Sequence, residues 1–150
     1  MELHAQWLGT PDSDGYELRE TQAMLVETEA TNEAMDMCLA AGNAVLDTPG
    51  SVIYIDADSL ARLKQEFFLV YLLANDDNIA RLIELYISHP KPLIWNGYFK
   101  YNENMQNSLI ESYPKLLRSR SKIYAELADI TIEAQKLYEG DITPQNALGL

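Results

Sequence analysis

An all-α domain, a bundle of four to five helices, follows from three features of the 150-residue sequence. Long stretches lack Pro, apolar residues recur every three or four positions, and strand-like alternation is scarce. The reading divides the chain into an irregular arm over 1–15, a single helical domain over 16–140 with a long C-terminal helix and an extended connector near 50–56, and a tail over 141–150. A hydrophobic content of 47% suits one folded core rather than a disordered chain.

Gly9, Pro11 and Gly15 interrupt the arm, and Thr10 to Gly15 is turn chemistry. Trp7, with Leu3 and Leu8, is expected to pin the arm onto the domain; docking on a partner is the alternative. Over 16–46 the strong helix formers Ala, Glu, Met, Leu and Gln dominate. There Ala23, Val26, Ala30, Ala34, Met37, Ala41 and Val45 form a row at helical spacing, and Pro49-Gly50 closes the segment. Val52 to Ile55 is apolar and β-branched, but no good strand candidate exists to pair with it, so it is expected to lie over the core as a connector.

A second helix is expected from the N-cap candidates Asp56 to Ser59 through Ala74. Its inner row is Leu60, Leu63, Phe67, Val70, Tyr71 and Ala74, and its apolar run Phe67 to Leu73 places it at the centre of the fold. Asn75 to Asn78 ends it and caps a partner helix, Ile79 to Ser88, in an αα-hairpin. His89-Pro90-Lys91-Pro92 is a stiff break. The loop with Trp95, Tyr98 and Phe99 around Gly97 is expected to pack on the core, a contact surface being the alternative. A short helix over 102–112 then precedes a final helix from Pro114 to about Glu139, with Gly140 as its C′ residue. Leu116, Leu117, Ile123, Leu127, Ile130, Ala134 and Leu137 supply its apolar face.

With 23 acidic against 11 basic residues the formal net charge is −12, which opposes general nucleic-acid binding and docking on anionic membranes. The single cysteine, Cys38, excludes an intramolecular disulfide and points to a reducing compartment. The opening residues lack a basic n-region and an apolar h-region, and the longest apolar run, Phe67 to Ala74, is far short of a membrane span. A soluble cytoplasmic protein is expected, or one of a virion and its host's cytoplasm if phage-encoded.

Chemistry-bearing motifs are sparse. His4 and His89 stand outside any zinc or di-iron spacing. Asp12-Ser13-Asp14-Gly15 opens like a calcium loop, but Thr21 stands where the bidentate Glu belongs. There is no nucleophile elbow, P-loop or dinucleotide fingerprint. Cys38, between Met37 and Leu39, reads as an inert core thiol, and His89 as a helix-terminal residue. The expectation is a non-enzymatic protein without cofactor or metal.

Charge is segregated. Residues 1–58 hold twelve acids and one base, Arg19, whereas residues 59–150 hold eleven acids and ten bases. Within 91–122 six bases face only Glu103 and Glu111. Solvation of an exposed helix face is the simplest account of the acids. The functional account makes Glu27, Glu29, Glu33 and Asp36 an acidic contact face and Lys115, Arg118, Arg120 and Lys122 a basic contact patch. If the patch belongs to an identical subunit, the contact is heterologous and repeats into a ring or filament.

Two resemblances add expectations. Gln145-Asn-Ala-Leu148-Gly-Leu150 resembles the Gln-x-x-Leu-x-Leu/Phe peptides through which bacterial replication proteins bind the sliding clamp. Tyr124 to Leu150, with Glu139-Gly140-Asp141 before Ile142, Leu148 and Leu150, resembles the ending of tailed-phage head–tail adaptors (connectors). Ser59 to Leu73 is similar to their central helix. Together these stretches cover about a third of the chain and exclude the acidic first helix. That resemblance implies a ring-forming virion subunit with no cofactor. The expected function is therefore protein–protein contact as a structural or adaptor subunit, in a homo-oligomer, with other subunits of a larger assembly, or both. Alternatives are an acidic inhibitor that mimics DNA before a nucleic-acid-binding enzyme, and a clamp accessory protein.

Overall fold

The structure is a computed structural model that describes residues 11, 13–143 and 145–146. The arm's anchors Trp7, Leu3 and Leu8, and the tail residues Leu148 and Leu150, lie outside the described residues.

Helix α1 spans Tyr16–Ala41. It stops at Gly42, whose φ of 80° is one that L side chains rarely adopt and whose N–H donates to the Cys38 carbonyl. The helix is thus shorter than the expected 16–46, and Val45 stands outside it at 95% exposure. The expected inner row also shifts. Ala23 is buried, but Val26, Ala30, Met37 and Ala41 are exposed, and the buried side is Tyr16, Ala23, Thr31 and Met35. Apolar residues occur on every side of this helix, so several rows have equal claim and only tertiary contact selects one.

Val52–Tyr54 is a single 3₁₀ turn rather than an extended connector, closed by N–H donation from Val52 to the Pro49 carbonyl and from Tyr54 to the Ser51 carbonyl. It does cover the core. Val52, Ile53 and Ile55 are buried with Met35 and Leu63, each such burial stabilising by about 1.5–3 kcal/mol. Helix α2, Ala57–Glu66, begins where Asp56 accepts the N–H groups of Asp58 and Ser59. The Ser59 hydroxyl and N–H hold the Asp56 carboxyl below its ordinary value.

The chain then departs from expectation. Phe67 turns extended, and β1 (Val70–Leu73) pairs in parallel with β2 (Ile130–Glu133), Val70 opposite Ile130 and Leu73 opposite Glu133. The run Phe67 to Leu73 is therefore neither helical nor the centre of the fold: Phe68, Val70 and Leu72 are exposed, while Tyr71 and Leu73 are half-buried. Asp129 joins the strands, its carboxylate accepting the Leu69 N–H at 2.7 Å while its own N–H donates to the Leu69 carbonyl.

Helix α3, Asp76–Ser88, starts at Asn75, whose side chain accepts the Asn78 N–H at 2.8 Å. The cap is as expected, but a strand rather than a helix precedes it, so no αα-hairpin forms there. Helix α4 runs unbroken over Met105–Leu127 with Pro114 inside it, in place of the two helices expected. Pro114 offers no N–H to the Ile110 carbonyl, a loss of roughly 3 kcal/mol in a bare helix. The site is held by its neighbours: Tyr113 stacks on Tyr86 at 4.1 Å, and the buried Ser112 hydroxyl accepts the Lys100 N–H. After α4, β2 and the short α5 (Ala134–Tyr138) replace the rest of the long final helix. Gly140 follows with φ 78° and donates to the Leu137 carbonyl.

The chain is mostly helical, as expected, and carries in addition one small two-stranded parallel sheet. One core gathers Tyr16, Ala23, Ile94, Trp95, Leu109 and Leu116; a second holds Met35 and the 52–55 turn. Met24 and Tyr54 pack against both.

Candidate functional site

The Trp95–Phe99 loop belongs to the first core. Trp95 is 2% exposed, with Phe99 at 5.2 Å and Tyr86 at 6.1 Å between ring centres. Asn96 and Gly97 take φ of 49° and 78° in a turn closed by the Tyr98 N–H on the Trp95 carbonyl. From α1, Glu20 accepts the N–H groups of Trp95 and Asn96. Tyr98 and Phe99 are half-buried. The contact-surface alternative for Trp95 is thereby corrected.

Arg120 is the larger correction. It is 6% exposed, its Nη2 donates to the Ile94 carbonyl at 2.8 Å, and its guanidinium lies 5.3 Å above the Tyr54 ring. Its Nε has no hydrogen-bond partner among the described residues. Tyr124 donates to the Gly50 carbonyl beside it, and a Cβ at Gly50 would sit 3.0 Å from both Arg120 Nη1 and Tyr124 Oη. Arg120 therefore ties the Trp95 loop to the 50–54 turn and is no part of a surface patch. Burial raises the phenols of Tyr16, Tyr86, Tyr113 and Tyr124 above their ordinary value; for the last three the Arg120 charge opposes that rise.

The other three cations of the group are on the surface. Lys115, Arg118 and Lys122 are exposed and recur at spacings of three and four, which puts them on one line along α4. At 3.6 residues per turn, Arg120 falls on the opposite side. The signal was present in the spacing: 115, 118 and 122 share a face, and 120 does not.

The acidic group also divides. Glu27 is half-buried and its Oε2 accepts the Ser51 hydroxyl at 2.7 Å, so it faces the 50–54 turn. Asp36 is exposed but paired with Arg62 at 2.6 Å, and Arg62 also holds Glu66. Glu29 and Glu33 stand exposed on the outer side of α1. Around them are Leu18, Leu25, Val26, Met37 and Leu39, all exposed, Leu25 by 61% and Met37 by 68%. Of these apolar residues, Val26 and Met37 belong to the row expected to face inward, and the structure turns both to solvent.

Comparisons with family models, curated proteins and solved structures return no match.

Among the described residues no group of three His, Cys, Asp or Glu is placed to hold a metal ion, and no helix is long and apolar enough to cross a membrane. Cys38 is half-buried on α1 rather than in the core. His89 caps the C-terminus of α3. Gln145 is exposed. A groove of about 140 Å³ between α1 and the 46–49 segment, touching Glu27 and Asp47, is smaller than a typical small-molecule pocket.

Proposed function

We propose that the protein acts by protein–protein contact, as a non-catalytic structural or adaptor subunit of a larger assembly; the ring-forming connectors of tailed phages exemplify that class. The observation that carries this reading is the outer face of α1, where five large apolar side chains lie in solvent among acids. Scattered exposed apolar residues are ordinary, but a run of them along one helix, rimmed by charge, marks an interaction surface.

Photocrosslinking tests it. Benzoylphenylalanine in place of Leu25 or Met37, in cells that make the protein, is expected to give one discrete adduct that the same probe in place of the exposed Asp77 does not give. Absence of an adduct at both α1 positions overturns the proposal.

A further inference from the structure

We propose that the outer face of α1 in one copy seats on the Lys115–Arg118–Lys122 line of α4 in a second copy, head to tail. This rests on the reading of α1 as a contact face and names its occupant.

Three observations support it. The first is complementarity: exposed Glu29 and Glu33 on one face, three exposed cations without an ion pair among the described residues on the other. The second concerns pairing within the protomer. Tyr16 and Ala23 of α1 belong to one core with Leu109 and Leu116 of α4. Glu29 and Glu33, and likewise Lys115, Arg118 and Lys122, are exposed, and among the described residues no ion pair joins the two groups within one protomer. The third is exclusion of the symmetric alternative. A symmetric α1–α1 contact centred on this face would bring Glu29 and Glu33 of two copies together, and like charges juxtaposed in an interface oppose it. The aliphatic stems of Lys115, Arg118 and Lys122 can lie against exposed apolar side chains of α1 while their charged heads reach Glu29 and Glu33. Because the two surfaces differ, the contact is heterologous: each added copy presents a free face to the next, closing into a ring or continuing as a filament.

The test uses two full-length variants and their mixture, sized by mass photometry and analytical ultracentrifugation in low salt. Glu29→Lys/Glu33→Lys makes both faces basic, and Arg118→Glu/Lys122→Glu makes both acidic. Each alone is expected to self-associate at least about tenfold more weakly than the parent. An equimolar mixture is expected to recover oligomers, because the basic α1 of one variant meets the acidic α4 of the other. Recovery also shows that both variants fold. Undiminished self-association of either variant, a mixture that stays monomeric, or a parent chain that stays monomeric at high micromolar concentration overturns the inference. An α1 photoadduct to a different protein overturns it while leaving the contact role of α1 intact, whereas no adduct removes both.

Discussion

Arg120 carries its charge inside the fold, where its guanidinium links the Ile94 carbonyl to the Tyr54 ring. In the string Lys115-Leu-Leu-Arg118-Ser-Arg120-Ser-Lys122 it reads as one of four surface cations, yet it is 6% exposed and bonded to the Ile94 carbonyl. A buried charge is kept only where hydrogen bonds and polarisable neighbours replace water, and here these are a carbonyl and the Tyr54 ring. Arg120→Ala is expected to lower stability by roughly 2–3 kcal/mol, from the lost charge-assisted bond and ring contact. Arg118→Ala should stay within about 0.5 kcal/mol of the parent. Urea midpoints check both, and equal effects would return Arg120 to the surface. The buried tyrosines give a second residue-scale expectation. The folded state raises the phenol values of Tyr16, Tyr86, Tyr113 and Tyr124, so it holds those protons more tightly than the unfolded chain does. Their contribution is complete below the ordinary tyrosine value of about 10 and is lost as pH rises above it. The urea midpoint should therefore fall from about pH 10 upward, with tyrosinate absorbance in the native protein lagging behind that of the denatured protein. A midpoint flat across that range would contradict the burial of these rings.

At the scale of elements, the strand pair is the test. The expected final helix put Ile130 and Ala134 inward and left Ile132 off its apolar face; the strand reverses this, burying Ile132 and exposing Thr131. Ile132→Ala is expected to cost about 3 kcal/mol, and Thr131→Ala less than about 0.5 kcal/mol, measured by denaturant unfolding. Comparable effects at both positions would argue against the pairing. What was legible had local causes. Asp56 and Asn75 cap their helices, and the prolines after His89 break the chain, each signal lying within a few residues of its effect. The stop of α1 at Gly42 is equally local, but Pro49-Gly50 is the more conspicuous punctuation and draws the expected end past it. What was not legible depends on distant partners. Val70–Leu73 is a strand only because Ile130–Glu133 lies beside it, some sixty positions away; the apolar run Val70–Leu73 is indistinguishable from helix by periodicity alone, and the alternation Ile130-Thr131-Ile132-Glu133 is only four residues long. Pro114 sits inside α4 because Tyr113 stacks on Tyr86, a contact no local rule contains. The candidate surfaces follow the same division: the line at 115, 118 and 122 is written in its spacing, whereas the outer face of α1 appears only once Met35 and Thr31 are known to point inward.

For the whole molecule, uneven charge predicts opposite responses to salt by the monomer and by its assemblies. Glu29 and Glu33 stand one helical turn apart on α1, and Asp36 one turn beyond Glu33; among the described residues Asp36 alone of the three is answered by a cation, Arg62. Like charges at such spacing destabilise a helix by roughly 0.2–0.5 kcal/mol each, and a net charge of −12 adds self-repulsion across the protomer. Raising sodium chloride from about 0.02 M to about 0.5 M shortens the screening length well below the spacing of most of these groups. The melting temperature of the dilute monomer should therefore rise by a few degrees. Chloride is the appropriate anion, because sulfate would stabilise any fold by exclusion from its surface. The same screening weakens attraction between the outer face of α1 and the cationic line of α4, so the mean oligomer mass at fixed protein concentration should fall over that range. Calorimetry on dilute protein and mass photometry on concentrated protein measure the two trends independently. A contact dominated by Leu18, Leu25 and Met37 rather than by charge would leave the oligomer mass unchanged or raise it while the melting temperature still climbed, and that pattern would remove the electrostatic basis of the head-to-tail arrangement.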